Sequence, residues 1–119
     1  MYDHLGIKVS DLPSSIRFYE DVLAPLGLVL GSHDDSYAGL GPAGAPALWL
    51  YASKGVQGAG THIAFRAGSH QAVDAFYKAG IKAGARDNGG PGPRPDYSPT
   101  YYAAFLIDPD GNNVEAVCP

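Results

Sequence analysis

The chain is written twice. Residues 3–9 read "DHLGIKV" and residues 61–67 read "THIAFRA". A shift of 58 residues, the step from His4 to His62, also lays Ile7 on Phe65, Phe18 on Phe76, Tyr19 on Tyr77 and Leu23 on Ile81. Strand, helix and register repeat together, so the two halves are expected to be two copies of one unit. Repeated units pack together because one copy cannot bury its apolar face alone. With 119 residues, 45% of them hydrophobic, there is enough chain for one domain and too little for two independent ones.

Each copy opens on a strand and continues into an amphipathic helix. In "SDLPSSIRFYEDVLAPLGL", Asp11 is placed to cap a helix carrying Ile16, Tyr19, Leu23 and Leu26 at helical spacing. In "SHQAVDAFYKAGIKAG", Ser69 plays the same part before Val73, Phe76, Tyr77 and Ile81. Short runs at 28–33, 36–41 and 46–52 read as strands, and "TYYAAFLIDPDGNNVEAV" reads as a hairpin turning at "DPDG". The 16 glycines and 10 prolines gather in 39–46, 53–60 and 84–99, which are expected to be loops. The expected fold is α+β: two tandem βαβββ units, 1–52 and 61–119, joined by a linker at 53–60, form a cupped mixed sheet with the helices outside. A cup of this kind is where small ligands bind.

A formal charge of −4 is scattered along the chain, and no cluster of Lys and Arg is present to neutralise a row of phosphates, which argues against a nucleic-acid partner. No apolar run approaches the roughly 20 residues that span a bilayer, and the first residues lack a basic, then apolar leader. A cytoplasmic protein without a membrane partner is expected. The single Cys118 cannot form an internal disulfide, which fits a reducing compartment, and its place beside the C-terminus suits an inert thiol.

Strand phase selects the residues that face the cup. Leu5, Ile7 and Val9 share one face, which leaves His4 with Gly6 on the other; Ile63 and Phe65 likewise leave His62 beside Ala64. Near the end, Glu115 stands among Val114, Ala116 and Val117, where burying an unpaired charge costs several kcal/mol. Two imidazoles and one carboxylate holding a divalent ion would satisfy all three, and this ligand set suits Fe, Mn, Zn, Ni or Co. The plainer alternatives are hydrogen-bonded strand histidines and a glutamate facing solvent on an edge strand. Alternation places Tyr101 and Ala103 with Phe105, and Trp49 with Tyr51 across the sheet, as walls for a planar or apolar ligand; the same residues would also serve as core packing. In the Gly/Pro-rich loop "RDNGGPGPRPDYSP", Arg94 and Tyr97 could meet an anionic group, although a solvated connection is the simpler reading. His33 and His70 sit in polar surroundings and read as surface residues.

The stretches "DHLGIKVSDLPSSIRFYEDVL", "THIAFRA" and "DPDGNNVEAV" resemble the vicinal oxygen chelate superfamily, which includes glyoxalase I, extradiol dioxygenases, fosfomycin-resistance thiol transferases and bleomycin-binding proteins. The resemblance implies metal ligands on the first strand of each unit and on its last strand, which at matching positions gives His4, His62 and Glu115. The remaining position falls in "PALWLYAS", where Leu48, Trp49 and Leu50 cannot replace the glutamate with which glyoxalase I binds metal and moves its substrate's proton. The acid–base tyrosine of the dioxygenases and the phosphonate tyrosine of the fosfomycin enzymes both map to Phe105, and "DYSPTYYAA" contains no histidine. The resemblance therefore implies a metalloenzyme in which His4, His62 and Glu115 hold a divalent cation that chelates vicinal oxygens of a small substrate. Glu115 is the ligand closest to catalysis, and the chemistry would be of lyase, isomerase or dioxygenase type. A metal-free protein that sequesters a small molecule, as bleomycin-binding relatives do, is the alternative. A homodimer is implied by the resemblance alone.

Overall fold

In the computed structural model, which describes residues 1–56, 58 and 60–119, the halves of the chain form one sheet each. Residues 57 and 59, in the expected linker, lie outside the described residues. The first sheet has the order β1–β4–β3–β2, from Leu5–Val9 (β1), Val29–His33 (β2), Tyr37–Gly41 (β3) and Leu48–Ala52 (β4). The second is built from His62–Arg66 (β5), Arg86–Asp87 (β6), Gly92–Pro93 (β7), Tyr102–Ile107 (β8) and Asn113–Cys118 (β9), with β5, β9 and β8 side by side and both short strands paired to β8. In each half the first strand runs parallel to the last, Leu5 opposite Leu48 and His62 opposite Asn113, and the helix makes the crossover between them. This is the expected α+β arrangement. No helix among the described residues is long and apolar enough to cross a membrane.

The helices begin where capping chemistry dictates. Asp11 accepts from the Ser14 N–H ahead of α1 (Leu12–Leu23), and Ser69 accepts from the Ala72 N–H ahead of α2 (His70–Lys82). After α1 a 3-10 turn at Ala24–Leu26 closes on Gly27, whose φ of 78° is the left-handed conformation that ends helices cheaply only at glycine. Leu12, Phe18, Tyr19, Val22 and Leu23 of α1 and Val73 and Phe76 of α2 enter one core with Leu40, Leu50, Ile63, Leu106 and Val114.

Three expectations need correction. Leu5, expected on the core face of β1, is 39% exposed, because it borders a cleft between β1 and the Ile63–Phe65 stretch of β5 rather than the core interior. Ile81 is 42% exposed, and Gly80 takes its place against the sheet: a Cβ on Gly80 would lie 2.2 Å from Leu106 Cδ1. The glycine lets α2 approach β8 closely, so Gly80→Ala should overpack the core and lower stability by about 1–3 kcal/mol, measurable by urea denaturation. The stretch 84–99, expected to be a loop throughout, contributes β6 and β7. These two-residue strands pair with β8 at Arg86/Ile107 and Gly92/Ala103.

The "DPDG" turn does more than reverse the chain. Asp108, 5% exposed, accepts hydrogen bonds from the Asp110 and Asn112 backbone N–H groups, from Asn112 Nδ2 (3.0 Å) and from the Tyr19 hydroxyl of α1 (2.5 Å). Asp110 accepts from the backbone N–H and the hydroxyl of Ser10, just after β1. The turn of the second half is thereby tied to the strand and the helix of the first. Burial, reinforced by the Asp108 carboxylate, pushes the Tyr19 phenol far above the usual tyrosine range.

Candidate functional site

The face of the second sheet away from α2 carries His62 and Ala64 of β5, Asn113, Glu115 and Val117 of β9, and Ala103 and Phe105 of β8. Because β9 lies between β5 and β8, Glu115 stands on an interior strand and is 2% exposed; it does not face solvent on an edge. Both its oxygens are engaged. His62 Nε2 lies 3.0 Å from Oε2, and the Tyr101 hydroxyl donates to Oε1 at 2.5 Å.

The other ring nitrogen of His62 decides what this contact means. Nδ1 lies 3.2 Å from the carbonyl oxygen of Asn113. A carbonyl can only accept, so Nδ1 carries the hydrogen and the Nε2 lone pair of a neutral ring points at the Glu115 carboxylate. Two acceptors 3.0 Å apart need a cation between them, either a proton or a metal ion. A backbone carbonyl on Nδ1 is also the usual way of fixing a histidine so that Nε2 can ligate. The donor set at His62 and Glu115 thus fits a divalent ion. Phe105 stacks on the His62 ring at 6.3 Å and packs beside it.

His4 is not gathered with this pair. Its side chain is 57% exposed, its Nδ1 lies 2.6 Å from Asp3 Oδ1, and it borders the cleft of Leu5, Ile63, Ala64 and Phe65. Among the described residues no three His, Cys, Asp or Glu side chains are grouped to hold an ion. Of the other wall residues, Ala103 is fully buried in the β8 ladder. Trp49 and Tyr51 lie on the first sheet, where the absent side chains of Gly39 and Gly6 make room for their rings; a Cβ would stand 2.7 Å from Trp49 Cζ3 and 2.8 Å from Tyr51 Cε2. Tyr37 packs against Trp49 at 5.9 Å. His33 and His70 are exposed, and His70 stacks on Tyr102 at 3.9 Å.

Sequence parity placed Tyr101 on this face without showing that its hydroxyl would hold Glu115. The role of the Asn113 carbonyl carried no comparable signal; Arg94, singled out in its loop as a partner for an anionic group, has its guanidinium carbon 5.4 Å from the centre of the Phe105 ring. The hydrogen bond to Glu115, with burial second, pushes the Tyr101 phenol up to about 12. An ultraviolet pH titration should therefore find a tyrosine ionising near that value, and Glu115→Gln should bring it down. Because the folded phenol is raised above the unfolded value of about 10, its contribution to stability is complete below pH 10 and is lost as pH climbs towards 12.

The family model described as the Glyoxalase/Bleomycin resistance protein/Dioxygenase superfamily matches residues 2–116. A glyoxalase/bleomycin resistance protein from Albidiferax ferrireducens T118 is 31% identical, with 98% of each chain covered and a TM-score of 0.85. The E144Q mutant of glyoxalase I from Zea mays is 27% identical with a TM-score of 0.75, this chain being covered over 96% of its length and the maize chain over 45%. A glyoxalase/bleomycin resistance protein/dioxygenase family enzyme from Burkholderia phytofirmans PsJN shares the fold at 20% identity and a TM-score of 0.74, with 97% and 95% of the two chains covered. No curated protein matches the chain in sequence. With a match over almost its whole length and a fold to correspond, the chain belongs to the glyoxalase/bleomycin resistance protein/dioxygenase superfamily.

Proposed function

We propose that the protein is a metalloenzyme acting on a small substrate with two adjacent oxygen atoms, and that His62, Glu115 and His4 hold its divalent ion. The observation that carries this reading is the contact of the half-exposed His62 Nε2 with the buried Glu115 Oε2, where a proton or a metal ion has to stand between two acceptors. His4 is exposed and held only by its neighbour Asp3, so it is free to exchange that partner for the ion. When bound, the ion would polarise the substrate's vicinal oxygens and stabilise negative charge developing on them. Tyr101 holds its proton on the Glu115 side of the site and keeps that carboxylate oriented, while Phe105 packs beside the His62 ring. The chemistry would be of lyase, isomerase or dioxygenase type, in the cytoplasm, and by a homodimer as the resemblance implies.

A second reading has its own support. Glu115 is satisfied by His62 and Tyr101 as the side chains stand, and Trp49, Tyr51 and Tyr37 offer an aromatic surface, so a metal-free protein that binds planar small molecules would need no further ligand. Elemental analysis of protein purified without a chelating tag separates the two. Wild type should carry a stoichiometric divalent metal and His62→Ala little; equally little in both would favour the binding protein.

A further inference from the structure

Beside the His62–Glu115 pair lies a cavity of about 300 Å³ lined by Asn88, Gly89, Arg94, Tyr97, Phe105 and Asn113. Arg94 is the only charged residue in that lining, and no carboxylate borders the cavity. Among the described residues no carboxylate lies within ion-pair distance of Arg94 either. Its position is nevertheless fixed. Nη1 donates to the carbonyls of Gly92 (2.9 Å) and Pro93 (3.3 Å), Nη2 donates to that of Gly90 (2.7 Å), and the guanidinium lies over the Phe105 ring, whose other neighbour is His62.

A guanidinium has five N–H donors. Three contacts to carbonyls leave the Nε–H and one Nη2–H unspent, and Nε and Nη2 flank the edge of the planar group that matches two oxygens of a carboxylate or phosphoryl group. The neighbouring polar groups agree: Asn88 donates to Asn113 Oδ1 at 3.1 Å, which leaves the Asn113 amide nitrogen as a further donor in the lining. A cation held in place by neutral carbonyls, with no counter-ion, on the wall of a cavity beside a candidate reaction site is arranged to receive an anion. We propose that Arg94 is a specificity-determining residue that binds the anionic end of the substrate, a small carboxylate or phosphoryl compound. As a statement about substrate class this rests on the reading of His62 and Glu115 as the reacting site; as a statement about anion binding it stands alone.

The test follows the Arg94 Nε–H resonance by NMR in the metal-free wild-type protein during titration with methyl phosphate and, separately, with acetate. A saturable shift of that resonance is expected with at least one of them, and the tighter ligand identifies the anion class. Arg94→Gln should weaken binding at least tenfold, and Arg94→Lys, which keeps the charge without the fork, should also weaken it. Because the readout is on wild type, collapse of the loop in a variant does not blunt the test. No movement of the resonance with either anion, or binding unchanged in both variants, would overturn the proposal. The outcome is separable from the metal question: an anion bound at Arg94 in a protein that takes no metal sinks only the metalloenzyme, and metal uptake without anion binding sinks only the role of Arg94.

Discussion

Asp108→Ala should destabilise the protein by about 3–5 kcal/mol, since each buried group left without a partner costs about 1–3 kcal/mol. The substitution strands the Tyr19 hydroxyl, on a fully buried residue, and the side-chain nitrogen of Asn112, 2% exposed, and it removes the acceptor for two backbone N–H groups in the turn. Among the described residues every buried side-chain nitrogen or oxygen has a partner, so there is no slack elsewhere to absorb the loss. Set against a total stability of about 5–15 kcal/mol for a domain of ordinary size, this is a large fraction. Urea denaturation measures it directly. Asp108→Asn, which keeps one acceptor oxygen, should cost less than half as much, and a cost below about 1 kcal/mol for the alanine variant would mean that the turn does not tie the two halves together.

The second large effect concerns Glu115. Glu115→Ala removes the carboxylate on which His62 and Tyr101 converge. Loss of an outer-shell partner typically costs 10–100-fold in metal affinity, so loss of the proposed ligand itself should exceed about 100-fold. Isothermal titration of Mn(II) into the variant is the measurement. Tyr101→Phe provides the graded comparison: it deletes only the hydroxyl that holds Oε1 and should weaken the ion by about 10–100-fold. If Glu115→Ala binds Mn(II) as tightly as wild type, any ion the protein holds lies elsewhere.

How much of this was legible in the sequence varies from element to element. The repeat, the capped helices and the "DPDG" hairpin were readable because each rests on a local pattern that tertiary packing did not override. The strands β6 and β7 were not, because two-residue edge strands in a Gly/Pro-rich stretch carry no periodicity. The choice of Gly80 over Ile81 was hidden because spacing predicts which face of a helix is apolar, while closeness of approach depends on the partner strand. At the candidate site, donor chemistry and the resemblance supplied Glu115, while alternation set His62 off the core face and grouped Tyr101 with Phe105. It also placed His4 in the equivalent position of the first half, but equivalence in a repeat fixes strand position and does not determine the orientation of an exposed side chain that has Asp3 as a neighbour. Asp108 and Asp110 read as turn residues, and their bonds to Tyr19 and Ser10 join positions too distant in sequence for any local rule to reveal.

In the proposed function, the contact between His62 and Glu115 is a seat for a cation. The most direct measurement is a titration of the metal-free protein with Zn(II), following the two ring nitrogens of His62 by 15N NMR. The predicted result is saturation with the Nε2 resonance moved to a metal-bound position while Nδ1 keeps its hydrogen on the Asn113 carbonyl. A His62 ring whose nitrogens are unchanged at saturating Zn(II) would contradict it.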